Sequence, residues 1–240
     1  MKTDSDFIDA ITAIRAGDLA TLQRLLTDNP DLAASRLGGI AKGRSPLHVV
    51  ADWPGYFPNG PQVVRMLIEA GADPNARAPD QPRSETPLHW AASSDDVDVA
   101  SALIDGGANV EAPDGSIGAP LDNAIGYGCW HVARLLVQRG AKADKLWHSS
   151  ALGMLDRLEE LLDGQSGAER EALSQAFWHA CAAGQRRAAE LLLNRGADLN
   201  WIPDYAKGTP LDAAGGRGTR QDNVINWLHD RGAQSSEHSK

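Results

Sequence analysis

Residues 86–109 read TPLHWAASSDDVDVASALIDGGAN, and this stretch decides the fold. Thr86 is a helix cap, and Pro87 stands at the first helical position, where a missing N–H costs nothing. Leu88, Ala91 and Ala92 make a short stripe of small apolar residues at helical spacing. Val97, Val99, Ala100, Leu103 and Ile104 make a second, longer stripe, which Gly107 ends as a left-handed C-cap. The spacing predicts two short antiparallel helices with one apolar side, too little chain to bury that side alone.

The pattern returns along the chain. Prolines open helices at Pro46, Pro87, Pro120 and Pro210, and Gly-Ala pairs close them at Gly71, Gly107, Gly140, Gly196 and Gly232. Pro87 and Pro120 stand 33 residues apart, as do Gly107 and Gly140. A 33-residue period, a TPLH opening and a LLxxGAD ending together resemble the ankyrin repeat. The resemblance implies an all-α solenoid of about seven helix–turn–helix units with short β-hairpin fingers. It also implies a concave surface, made by inner helices and fingers, that binds other macromolecules and rarely catalyses.

The units are expected at 7–34, 44–75, 86–109, 119–141, 146–164, 169–198 and 208–233, forming a single domain over 1–234. The first unit is a polar-ended cap. The second carries an enlarged turn, Trp53-Pro54-Gly55-Tyr56-Phe57-Pro58-Asn59-Gly60-Pro61, in which three prolines and two glycines forbid helix. In the fourth unit Ala119 replaces the capping threonine and Asp122 the histidine. The fifth has no room for a finger before Leu146. Residues 235–240 are expected to form a disordered tail.

A formal net charge of −9 argues against a phosphate-tracking surface and hence against nucleic-acid binding. No apolar run approaches the roughly 18 residues a membrane helix requires, and the acidic N-terminus has no signal-peptide layout. A cytoplasmic monomer is the expectation. Cys129 and Cys181 stand alone, without CxxC spacing, and read as buried free thiols.

His48 and His89 occupy the histidine position of the TPLH opening, where the resemblance implies an imidazole that ties neighbouring fingers. Trp147 and Trp178 fall in the same slot and read as packing replacements. The residue after that slot points into the concavity in the family, and this row includes Trp90, Asn123, His148 and His179. With inner helices about 8–10 Å apart, these four are expected to form a polar-aromatic strip rimmed by Trp53 and Tyr127. Trp201 and Tyr205, with Arg77, Asp80 and Arg83, form a second candidate group on the fingers.

Two histidines bind zinc only with a third ligand, and no carboxylate shares the row, so no metal and no cofactor is expected. Ser149 and Ser150 lack a nucleophile-elbow context. The sequence therefore predicts a non-catalytic module that binds another protein through Trp, Tyr and His anchors. The alternative is a small-molecule site or enzyme at the Trp90/Asn123/His148/His179 strip. An open groove favours the first and a closed pocket the second.

Overall fold

The computed structural model describes residues 4–36, 43–79, 84–164, 169–216 and 221–236. These fall into two compact units, Met1–Lys142 and Ala143–Lys240; the repeat period predicts a single domain.

The first unit holds four helical hairpins: α1 (Asp4–Ala16) with α2 (Leu19–Asp28), α3 (Pro46–Val50) with α4 (Gly60–Glu69), α5 (Pro87–Ser93) with α6 (Val97–Asp105), and α7 (Pro120–Tyr127) with α8 (Trp130–Gln138). The second holds three: α9 (Leu146–Leu152) with α10 (Leu155–Gly164), α11 (Arg170–Ala182) with α12 (Arg186–Asn194), and α13 (Pro210–Gly216) with α14 (Asp222–Asp230). Every hairpin expected from the spacing is present, with proline at the start of α3, α5, α7 and α13.

Local chemistry sets the boundaries. Asp18 and Asp96 cap α2 and α6 by accepting the Thr21 and Val99 N–H groups, each at 3.0 Å. At the end of α6 the chain turns left-handed at Gly107, with φ of 94°, and the Ala108 N–H reaches the Leu103 carbonyl at 2.9 Å.

Inner helices stack on inner helices, α1 on α3, α3 on α5 and α5 on α7, while α2, α4, α6 and α8 form the outer row. Leu88, Ala91 and Ala92 on α5, and Val99, Ala100 and Leu103 on α6, are fully buried. The small residues let the inner helices approach closely, and the leucines fill the space toward the outer row. In the second unit α9, α11 and α13 stack in the same order. Phe177, Leu158 and Leu192 lie at the centre of its core, and Trp227 lies in it as well. Cys129 and Cys181 are buried thiols, and burial pushes Cys181 far above its ordinary pKa.

The fingers differ from expectation. Among the described residues they form no strand; they are turns each closed by one backbone bond, Ala78 N–H to the Glu85 carbonyl at 2.8 Å and Gly115 N–H to the Gly118 carbonyl at 2.8 Å. Pro74 and Pro79 remove donors from the longer finger, so no ladder propagates. Successive fingers are clasped instead by asparagine. Asn75 donates from its amide to the Gly107 carbonyl at 3.0 Å and accepts from the Asn109 N–H at 2.7 Å.

The fifth hairpin, which has no finger before it, is stitched by serine. Ser149 Oγ donates to the Ala143 carbonyl at 3.2 Å and Ser150 Oγ to the Ala176 carbonyl at 2.8 Å. Ser235 and Ser236, placed by the sequence in a loose tail, are bonded to Asp212. Ser235 Oγ donates at 2.6 Å and the Ser236 N–H at 2.9 Å.

Candidate functional site

The histidine slot is structural. Thr86 N–H donates to His89 Nδ1 at 3.2 Å, so Nε2 carries the proton and donates to the Gly118 carbonyl at 3.0 Å. His48 does the same between Ser45 Oγ at 2.7 Å and the Glu85 carbonyl at 3.0 Å. Burial lowers the pKa of His48 to about 4 and lowers that of His89, so both rings are neutral at pH 7.

The same slot is filled three other ways. Asp122 accepts the Ala119 N–H at 2.7 Å, restoring part of the cap that Ala119 lacks. Asp212 accepts the Thr209 N–H at 2.8 Å. Buried Trp178 donates its indole N–H to the Gly208 carbonyl at 3.2 Å, so it replaces the imidazole in bonding as well as in volume. Trp147 is only half-buried and packs on His148 and His179, with ring centroids 4.4 and 4.9 Å away.

The neighbouring row departs from the outward strip that its spacing predicts. Trp90 and Asn123 belong to the first unit, His148 and His179 to the second. Asn123, His148 and His179 are all buried, because loops and aromatic neighbours close over the slot. Asn123 donates to Glu85 Oε1 at 2.7 Å and Ser93 Oγ at 3.3 Å, and accepts the Ile117 N–H at 3.3 Å. His179 lies under Tyr205, whose hydroxyl is 3.2 Å from Nε2 and whose ring stacks 6.2 Å away. Trp90 alone remains half-exposed.

What the first unit does present is a groove. Trp53, Trp90 and Tyr127 line a cavity of about 590 Å³, open on one side, together with Arg44, Asp52 and Glu85; Ser93 and Ser94 complete its wall. Trp53 is 78% exposed and Tyr127 54%. The loop that bears Trp53 is fixed at several points. The Trp53 N–H donates to Asp52 Oδ1 at 3.0 Å, the Tyr56 hydroxyl to the Asp95 carbonyl, and the Asn59 amide to the Gly17 carbonyl at 2.9 Å. The backbone that carries the indole is placed by these bonds, and the indole itself is a large apolar surface left wet.

The charges of the groove are arranged unequally. Asp52 is paired with two guanidinium groups, Arg15 at 3.0 Å and Arg44 at 3.7 Å. Arg44 also lies over the Trp90 ring, 4.3 Å from its centroid, and His48 meets the same ring edge-on at 5.1 Å. Glu85 is held by neutral donors, the Ser116 N–H at 2.9 Å and Asn123. Burial opposes its ionisation, but the hydrogen bonds from Ser116 and Asn123 outweigh that and keep its pKa below the ordinary value.

Sequence reasoning placed Trp53, Trp90 and Tyr127 together and missed Arg44, Asp52 and Glu85. The signal for two of these lies before the TPLH opening. Arg44 and Glu85 immediately precede the capping residue in the units that carry histidine, whereas Gly118 and Gly208 hold that place in units that carry aspartate. A Cβ at Gly118 would stand 2.2 Å from Asp122 Oδ2, and one at Gly208 2.8 Å from Asp212 Cβ. The histidine units alone leave room there for a side chain.

On the fingers, Trp201 is half-buried against Trp178 and Ala213, and Tyr205 is 54% exposed. Arg77 is a tie between fingers, donating to the Ser84 and Pro113 carbonyls at 2.7 and 2.6 Å. Asp80 and Arg83 lie outside the described residues. Among the described residues no group of three or more His, Cys, Asp or Glu could hold a metal ion, and no helix is long and apolar enough to cross a membrane.

Comparison with known proteins agrees with this architecture. Residues 58–145 match the family described as ankyrin repeats (3 copies). The chain is 36% identical over 87 residues to glycerophosphocholine phosphodiesterase gde1 of Schizosaccharomyces pombe, covering 36% of this chain and 8% of that protein. It is 39% identical over 79 residues to protein fem-1 homolog A of Bos taurus, covering 29% of this chain and 12% of that one. The chain thus spans only about a tenth of the length of these relatives. The crystal structure of the ankyrin repeat domain of Bcl-3 superposes with a TM-score of 0.53 at 24% identity, covering 92% of this chain and 97% of that one, which is a likeness of fold.

Proposed function

We propose that this protein is a non-catalytic binding module whose partner is another protein, received in the groove of the first unit. Ankyrin repeats are generally protein-interaction modules. The observation that supports this groove is the pair of largely exposed aromatic residues, Trp53 on its bonded loop and Tyr127 at the end of α7, lining an open cavity together with half-exposed Trp90. Such rings supply large contact area at low conformational cost, and aromatic residues dominate interface energetics. The groove is open rather than enclosed, which suits a segment of a partner chain better than a small molecule.

Affinity capture from the native cell, followed by titration of the captured partner, tests the reading. Trp53→Ala/Tyr127→Ala should weaken binding about 30-fold, the equivalent of losing a typical hot spot, with native helicity retained because both side chains are exposed. Wild-type affinity in that variant, with binding lost in Trp201→Ala/Tyr205→Ala, would move the site to the fingers of the second unit.

A further inference from the structure

The groove contains one carboxylate without a counter-ion. Asp52 has two guanidinium partners; Glu85 has no Lys or Arg partner among the described residues and is oriented by Ser116 and the Asn123 amide. Neutral donors fix the position of a charge without cancelling it, leaving its field directed into the groove. Tyr127 lies one helical turn beyond Asn123 on α7, so its ring stands on the same helix face as the residue that holds Glu85. The wall opposite is aromatic as well, and Arg44 resting 4.3 Å over Trp90 shows that a ring of this groove already accepts a guanidinium. Around the groove, residues 1–142 contain 12 Lys and Arg against 18 Asp and Glu, so the unit attracts cations from a distance.

Building on the protein-binding reading above, we propose that the groove selects a partner segment bearing a lysine or arginine side chain, its charge set against Glu85 and its stem packed between Trp53 and Tyr127. A bare cation would gain little at so open a site. An alkyl stem on two rings and a charge on a pre-oriented carboxylate act together. Arg44 remains in place on Trp90 as part of the wall.

The probe is the capped peptide Ac-Ser-Gly-Xaa-Gly-Ser-NH2, with arginine, citrulline or glutamate as Xaa. Citrulline keeps the shape of arginine and removes its charge. Binding is followed by the indole N–H signals of the full-length chain, with that of Trp53 assigned through Trp53→Phe. The arginine peptide should shift the Trp53 and Trp90 signals and bind at least tenfold more tightly than the citrulline peptide. Glu85→Gln should reduce that preference to less than threefold, and raising the salt from 50 to 300 mM should weaken arginine binding alone.

Equal binding of arginine and citrulline, preference for glutamate, shifts confined to other tryptophans, or no shift at all would each overturn the proposal. The peptide comparison on the wild-type chain stands even where Glu85→Gln perturbs the fold. Loss of the captured partner in Trp53→Ala/Tyr127→Ala, combined with equal arginine and citrulline binding, would leave the groove as the protein-binding site and refute only its charge preference.

Discussion

The side-chain amide of Asn123 on α7 donates to Glu85 Oε1 at 2.7 Å, joining residues 38 apart in the chain. This bond links the fourth hairpin to the finger that precedes the third, and it fixes a carboxylate of the groove that no cation balances among the described residues. Asn123 is fully buried, so its other bonds, to Ser93 and the Ile117 N–H, have no water to replace them.

Replacing Asn123 by leucine should therefore destabilise the first unit by on the order of 2 kcal/mol, the cost of stranding a charged acceptor and a backbone donor. Urea titration followed by circular dichroism should show a lower midpoint with an unchanged slope. An unaltered midpoint would mean that Glu85 and the turn at residues 115–118 find other partners.

Acid should loosen the second hairpin through His48. Its folded pKa of about 4 lies below the ordinary imidazole value of 6.5, so the unfolded chain binds the extra proton first. The stability linked to neutral His48 is fully present above the unfolded value and is lost as pH falls through that window toward 4. We expect the urea midpoint to drop between pH 7 and pH 4.5, and to drop less in His48→Asn, which can bond but does not titrate. Identical pH profiles would place the acid sensitivity elsewhere.

Trp178 tests whether the indole stands in for histidine as a donor or only as bulk. Trp178→Phe keeps most of the apolar contact and leaves the Gly208 carbonyl without its 3.2 Å bond. A loss of about 1–3 kcal/mol is expected, with faster amide exchange in α13. A loss no larger in the finger residues than in α10 would assign Trp178 to packing alone.

The last hairpin should depend on its tail. Truncation after Gln234 removes the Ser235 and Ser236 donors to Asp212, and amide exchange in α13 and α14 should rise at least tenfold while α11 is unchanged. Burial raises the pKa of Asp212, but the bonds from Ser235, Ser236 and Thr209 dominate and hold it well below the ordinary carboxylate range. The latch is thus complete above the unfolded carboxylate value, about 3.9, and is released as pH falls below it.

The fold was legible because each hairpin repeats the same physical instruction: proline where no N–H is needed, small residues on the inner helix, leucines on the outer, glycine where φ turns positive. The rim of the groove was legible too, since Trp53 just beyond α3 and Tyr127 at the end of α7 are large aromatic residues beside hairpin turns. The buried state of Asn123, His148 and His179 was not. A position that points out of a helix is exposed only if no loop returns over it; the turn at 115–118, tied to Glu85 of the preceding finger, covers Asn123, and the ring of Tyr205 returns over His179 from 26 residues on. Arg44 and Glu85 could have been found by aligning the four openings, RSPLH, ETPLH, GAPLD and GTPLD. There the residue before the cap changes with the one that closes the motif.

The asparagine clasp has a consequence for how such a chain can lengthen or shorten. Asn75 bonds to the backbone at Gly107 and Asn109, and Asn200 accepts the N–H of Gln234 at 2.8 Å, again 34 residues on. Each clasp measures off one repeat. The enlarged turn Trp53–Pro61 lies outside both spans and so adds residues without touching a clasp, but a register shift of one or two residues at either partner breaks the fastening. Whole repeats are therefore the natural unit of duplication or excision, and a chain spliced at any other interval would lose a fastening at the splice.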